Sequence, residues 1–427
     1  MEQINGTFRP VSWSLDSNIY EVNLRQYTKE GSFRAFAQHL PRLRKMGIEM
    51  LWFMPITPIS LKGRLGKLGS YYACADYMRT NPEYGSMEDF TWLVEEAHRL
   101  GFKVLIDWVA NHTGWDHIWT TEHPEYYRKN IDGHFYDAHG WADVIDLNFD
   151  SQELWSAMIR AMQFWVETCH IDGFRCDMAM LVPLDFWREA RTTLDQIKPL
   201  FWLAECEEIM YHEVFDASYT WKWLHVMESY WKRSSDMQGL FQTLHFYSHQ
   251  FPPTSLRAYF TSNHDENSHS GSEFERIGDA AIPFAVFNCL YDGLPLIYSG
   301  QELPNKKRLL FFDKDEIDWQ QPLLLSGFYR TLLLLRKSNR ALQAGDPQTS
   351  AMILSNTSPD RVLSFIRRHG SDKVLVILNL SSDAQSVWIH DEPLAGSYRD
   401  VFKPETSPFM EGEPVQLGPW DYKVYTK

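Results

Sequence analysis

One repeated unit governs what this chain can fold into: an amphipathic helical stretch, a glycine, then a short apolar run. Ser32 can cap a helix whose apolar positions Phe33, Phe36, Leu40 and Leu43 recur every three or four residues. Gly47 ends it, and residues 48–54 read as a buried strand. Ser86 and Asp89 form a capping-box pattern ahead of Phe90, Leu93, Ala97 and Leu100, and Gly101 stops that helix before the apolar run 104–106. A third unit joins a helix around 153–168 to a strand at 171–176, and a fourth ends in residues 201–204. Strand, helix, strand, repeated, predicts a parallel sheet with helices packed outside it. Candidate strands lie near Ile19, Met50, Leu105, Phe174, Leu203, Phe215, Tyr259 and Leu296. Eight such strands favour an α/β fold closed as a (β/α)8 TIM barrel over an open sheet.

The interval between strands 3 and 4 is too wide for one helix. Residues 112–146 are rich in Trp, His, Gly and Asp and read as a small loop subdomain inserted after strand 3. The final barrel helix is expected over residues 327–337. After Gly345 the texture changes to short β-type runs at 362–366, 374–378, 386–389 and 423–425, separated by Asp, Ser, Gly and Pro. These predict a C-terminal antiparallel β domain. The expected organisation is therefore barrel (1–112), insert (113–147), barrel (148–345) and C-terminal domain (346–427).

Composition narrows the partners. Of 427 residues, 44% are hydrophobic and 23% charged, enough apolar side chain for a large core. The net charge of −15 argues against a nucleic-acid backbone or an anionic membrane as partner and leaves neutral substrates open. Aromatics at 15% fit a large core, and also a surface that stacks on sugar rings. The five Cys (74, 169, 176, 206 and 289) are odd in number and lack a CxxC pair, so neither a disulfide framework nor a zinc site is expected. Cys176 and Cys206, beside the candidate acids, read as packing. No signal peptide is visible, and residues 280–298 read as core, broken as they are by Asn288 and Asp292. A cytoplasmic monomer is the expectation.

In a barrel, chemistry sits at the C-terminal ends of strands. Four acids fall there: Asp107, Asp177, Glu205 and Asp265. Carboxyls converging on one face raise one another's pKa, a cost that suggests a task. Arg175 lies two residues before Asp177, so both side chains share a face of one strand. A guanidinium there keeps a neighbouring carboxylate ionised, as a nucleophile requires, while a general acid must keep its proton.

These residues resemble the α-amylase family of glycoside hydrolases (family 13). Residues 107–112, 173–177, 204–205 and 260–265 resemble its four signatures, and residues 47–58, 144–148 and 293–302 its auxiliary motifs, in order along the chain. The resemblance implies a catalytic barrel, a subdomain after strand 3, a C-terminal β-sandwich, and retaining cleavage of α-1,4-glucosidic bonds in starch-like glucans or maltooligosaccharides. It implies Asp177 as nucleophile, Glu205 as general acid/base and Asp265 as transition-state stabiliser. His112 and His264 would contact sugar hydroxyls, Arg175 would order Asp177, and Tyr72 would stack beneath the sugar. An α-glucosidase, a glucanotransferase or a non-catalytic glucan-binding relative would share the scaffold.

Two departures matter. Met180 and Leu181 stand where amylases with strong calcium sites carry Lys-His, and Ala73 stands where α-glucosidases commonly carry Asp, which favours an open cleft. No cofactor is required; calcium would draw on Asn111 and Asp146. Glu266 reads equally as a cleft residue or a helix cap, while Asp313, Asp315 and Asp318 read as solvated acids.

Overall fold

The computed structural model describes residues 8–390, 397–404, 409–410 and 412–427. Eight parallel strands close a barrel: β1 (Ile19–Val22), β2 (Met50–Phe53), β3 (Lys103–Trp108), β6 (Gly173–Cys176), β7 (Phe201–Ala204), β8 (Ala217–Tyr219), β9 (Leu256–Tyr259) and β10 (Leu294–Tyr298). Between β3 and β6 run β4 (His112–Gly114) and β5 (Val144–Asp146), an antiparallel pair that fastens both ends of the inserted loop to the barrel rim. Most barrel strands are buried along their whole length, which is why they read as unbroken apolar runs rather than alternating ones.

Local chemistry sets the joints. Ser86 and Asp89 make the reciprocal capping box that starts the helix Met87–Arg99. The first predicted helix is in fact two, Phe33–Ala37 and Leu40–Met46. Pro41 sits in the first turn of the second, where its missing N–H costs nothing, whereas in mid-helix it would break the ladder. Gly47 then closes that helix in the left-handed region, at φ 97°. Two strand positions also differ from expectation. Phe215 precedes β8 rather than lying in it, and β9 stops at Tyr259, so Asp265 sits on a six-residue extension that runs into a π-helical turn, Glu266–Ser270.

The C-terminal part is all β. A six-stranded sheet has the order β11 (Met352–Ile353), β12 (Val362–His369), β13 (Asp372–Asn379), β18 (Tyr422–Thr426), β15 (Ser397–Asp400), β16 (Phe409–Met410). The pair β14 (Gln385–Val387) and β17 (Val415–Leu417) covers one face, burying Val387, Val415 and Leu417 against Val362, Leu375 and Ile377. The opposite face, with Leu363, Phe365, Val376 and Val424, joins the core of the barrel. No described helix is long and apolar enough to cross a membrane.

Candidate active site

A cavity of about 520 Å³ opens at the C-terminal end of the barrel strands. Tyr72, His112, Asp177, Glu205 and Asp265 line it, as do Trp141, Met178 and Phe311. Its walls come from loops. The insert supplies Trp141 and Asp143; the segment after β10 supplies Phe311 and Phe312; and the loop after β2 supplies Leu65 and Tyr72. Gly63, Gly66 and Gly69 take positive φ in that last loop. At Gly66 a β-carbon would collide with Phe312, so the turn needs glycine for space as well as for angle.

Arg175 organises the floor. Its guanidinium is 0% exposed, and Nη1 donates to Asp107 at 2.8 Å and to Asp177 at 2.9 Å, while Nη2 lies 2.6 Å from Glu205 Oε2. That same Glu205 oxygen accepts the Met178 backbone N–H at 3.0 Å. Met178 pays for this with φ 41°, a left-handed conformation for a bulky residue directly after Asp177. Trp52 Nε1 and the Tyr72 hydroxyl, each at 3.1 Å, occupy the second oxygen of Asp107. Asp107 is thus saturated beneath the cavity, whereas Asp177 and Glu205 reach it.

The electrostatics separate these groups. Burial pushes Asp177 up to about 6 against the pull of Arg175. Glu205, pushed up by burial and by Asp177 and Asp265 against the pull of Arg175 and the Met178 N–H, rises to about 7. Near neutral pH Glu205 is therefore the carboxyl best placed to carry a proton. Burial drives His112 down to about 4, so it faces the cavity as a neutral ring.

Arg175 and His264 do not line the cavity; both stand behind it. His264 is 1% exposed, its Nε2 at 2.7 Å from the Tyr72 hydroxyl and 3.3 Å from Asp265. Its other nitrogen meets Glu21 at 2.5 Å. Glu21 is invisible to a search of strand ends, because it lies mid-strand in β1; its one signal is a charge inside an apolar run. Trp52, Trp141 and Phe311 were equally hidden among the many core aromatics. Ala73 is packed with Ile59, Val144 and Trp141 instead of facing the cavity, so that position says nothing about an open cleft. Glu266 turns to Arg276 at 3.6 Å. Asp315 is no free solvated acid, since it pairs with Lys307 and accepts the Leu310 N–H.

The calcium expectation can be tested on the donors. The Asn111 side-chain nitrogen lies 3.3 Å from His112 Nδ1, a contact that does not engage its carbonyl oxygen, the atom a cation would take. Asp146 accepts from Ala138 N with one oxygen, and the other is buried without a hydrogen-bond partner, as is one oxygen of Asp137. Ligand atoms of Asp137, His139 and Asp146 all lie within 4.8 Å of one another. Two carboxylates with unspent oxygens fit a divalent cation, which adds Asp137 to Asn111 and Asp146 as candidate ligands.

Comparisons with known proteins bear on the fold and the family. The sequence profile for the α-amylase catalytic domain matches residues 14–140 and 128–321, and that for the α-amylase C-terminal all-β domain matches residues 354–416. The α-amylase MalA of Haloarcula japonica is 27% identical over 398 residues, which is 88% of this chain and 57% of that protein. The chain thus spans little more than half the length of that curated relative. Among solved structures, an α-amylase from Lactobacillus plantarum superposes with a TM-score of 0.88 at 27% identity, covering 96% of this chain and 99% of the other. A maltogenic α-amylase from Thermotoga neapolitana gives 0.88 at 28% identity, covering 97% and 99%.

Proposed function

Since the chain belongs to the α-amylase family, we propose that it is a retaining glycoside hydrolase cleaving α-1,4-glucosidic bonds in maltooligosaccharides or starch-like glucans. The observation that carries this reading is one buried guanidinium holding two cavity carboxyls of unequal acidity, Asp177 and Glu205. A retaining mechanism needs two carboxyls about 5 Å apart, one to attack the anomeric carbon and one to protonate the departing oxygen.

In this reading the sugar lies on Tyr72, and Arg175 keeps Asp177 ionised and aimed at the anomeric carbon. Glu205 gives its proton to the leaving oxygen as the covalent glycosyl–enzyme bond forms. It then takes a proton from the water that hydrolyses that bond. Asp265 hydrogen-bonds the distorted ring, and His112 offers a neutral partner to a hydroxyl. All these groups come from one chain, so a monomer suffices. No cofactor takes part in the reaction. A calcium ion would be a structural ligand, held by Asp137 and Asp146, and would steady the loop whose Trp141 N–H is already bound by Asp137 at 2.6 Å.

A product time course on maltoheptaose and soluble starch, with and without chelator, tests the reading. Mixed short maltooligosaccharides are expected early. Glucose alone would replace the reading with an α-glucosidase, and products longer than the starting sugar with a glucanotransferase. Asp177→Asn should lower turnover by several orders of magnitude while leaving the fold and glucan binding in place; undiminished hydrolysis by that variant would sink the assignment. Loss of activity with chelator, absent in an Asp137→Asn variant already lacking the ion, would report a cation at Asp137 and Asp146.

A further inference from the structure

His264 reaches the cleft only through its neighbours, so what sets its proton count and its plane matters to every group it touches. Its hydrogen-bond partners bear on both. The Tyr72 hydroxyl has one proton and lies 3.1 Å from Asp107 Oδ2 and 2.7 Å from His264 Nε2; when it donates to Asp107, its oxygen is left to accept from an Nε2–H. On the other edge, Nδ1 faces Glu21 Oε1 at 2.5 Å, and the His264 backbone N–H donates to that same oxygen at 3.3 Å. Both contacts on that oxygen are accepted ones when Glu21 is ionised and Nδ1 carries hydrogen. Glu21 is 0% exposed, and its second oxygen has no hydrogen-bond partner, so His264 is its main compensation.

The plane is fixed by the same contacts. The imidazole lies nearly parallel to the Tyr72 ring, 19° apart at 5.3 Å, and Phe311 meets both, at 6.4 Å and 15° from Tyr72 and at 6.3 Å and 31° from His264, so the three rings form a cluster. Tyr72 and Phe311 line the cavity, and the imidazole stands behind them. A rotated or uncharged imidazole would release the Tyr72 hydroxyl and loosen that floor.

We propose that Glu21 is a positioning residue that holds His264 as an imidazolium, with its Nε2–H locked against Tyr72 and Asp265 and the aromatic floor of the cleft thereby kept in place. Glu21 touches no substrate; it acts through His264. The kinetic part of this proposal rests on the glycosidase reading, whereas the protonation part does not.

The groups facing the imidazole agree in sign. Burial alone would lower its pKa, but Asp265 and Glu21 outweigh burial and the opposing Arg175, and raise it to about 9. Asp107 on β3 is a further anion felt by the pair, and Trp52 on β2 adds an uncharged ring edge at 6.0 Å. Around Glu21 the other titratable groups are Arg175, Tyr219 and Tyr298. Removing the Glu21 charge therefore moves His264 toward titration within the working range, since one nearby opposite charge is worth about 1–3 pKa units.

The test uses the full chain with ring-labelled histidine, comparing Glu21→Gln with the parent and assigning the His264 signal through His264→Gln. In the parent, the His264 signal should stay constant from about pH 5.5 to 8. In Glu21→Gln it should titrate within that window, and Glu21→Asp, which keeps the charge, should stay close to the parent. On maltoheptaose, the parent-to-variant ratio of kcat/KM should grow about tenfold by pH 8 for a pKa lowered by about two units, from about 9 to about 7, mostly through KM. Identical titration in parent and Glu21→Gln would overturn the proposal, as would a kinetic loss equal at every pH, which is what a packing defect gives. If the parent cleaves no glucan at all, the glycosidase reading fails and the titration alone decides the Glu21–His264 pair.

Discussion

Asp107, Asp177 and Glu205 share one guanidinium beneath the cavity, and burial raises all three against its pull. The linkage sign follows. Glu205 holds its proton up to about pH 7 when folded, against an ordinary value of 4.5. Below the ordinary value it is protonated in both states and costs nothing. Between the two values the unfolded chain has already ionised, so stability falls as pH rises, and above about 7 the whole cost is present. That cost is of order 3 kcal/mol. Glu205→Gln should therefore melt a few degrees above the parent at pH 8, with the gain fading toward pH 5, while its activity collapses. Equal melting temperatures at both pH values would mean that Glu205 is not strained by burial. At this scale the sequence was informative wherever a polar residue follows an apolar strand, as with Asp177 and Glu205. It was silent on Glu21, because a lone Glu inside β1 has no local pattern to distinguish a buried charge from an edge residue. It was silent on Met178 too, whose contribution is a backbone N–H.

Strand β6 carries Arg175 and leads into Asp177, so its seating against β7 sets the geometry of the floor. Gly173 opens it, and a β-carbon there would run into the Phe201 carbonyl of the neighbouring strand. Backbone cannot step aside as a side-chain tip can. Gly173→Ala should thus cost about 1–3 kcal/mol and depress kcat as the carboxyls lose register, read by thermal melting together with turnover on maltoheptaose. Full activity and stability would show that β6 slides freely. Helix-and-strand alternation was legible because each helix carries its own stop, such as Gly47 and Gly101. The division at Pro41 was not, since the apolar spacing from Phe33 to Leu43 runs straight through it. Asp265 looked like a strand end because Tyr259 and Phe260 prolong the apolar run. In the fold the ladder stops at Tyr259, and the extension beyond it puts Asp265 at the cavity.

The two halves of the molecule share one core. On the barrel side, Phe287 and Tyr291 stack at 4.4 Å, and Phe365 from β12 meets them at 5.7 and 5.2 Å. Arg367, fully buried, donates to the Tyr291 carbonyl at 2.9 Å, and the Tyr230 hydroxyl donates to the Leu380 carbonyl at 2.8 Å. A composition change after Gly345 announced a second domain, but nothing in the sequence told which face of its sheet would be shared, because both faces of β12 and β13 are apolar. That shared core makes the C-terminal domain part of the folding unit rather than an appendage. Thermal unfolding should be one cooperative transition by both calorimetry and tryptophan fluorescence. Phe365→Ala removes a ring from the joint and should cost about 3–5 kcal/mol, moving that single transition down as a whole. Because Tyr291 lies before the start of β10, whereas the cleft opens at the C-terminal ends of the barrel strands, turnover per folded molecule should hold at temperatures below the new midpoint. A melt that instead splits in two, with the barrel transition unmoved, would mean that the domains unfold independently and that the joint carries no stability for the site.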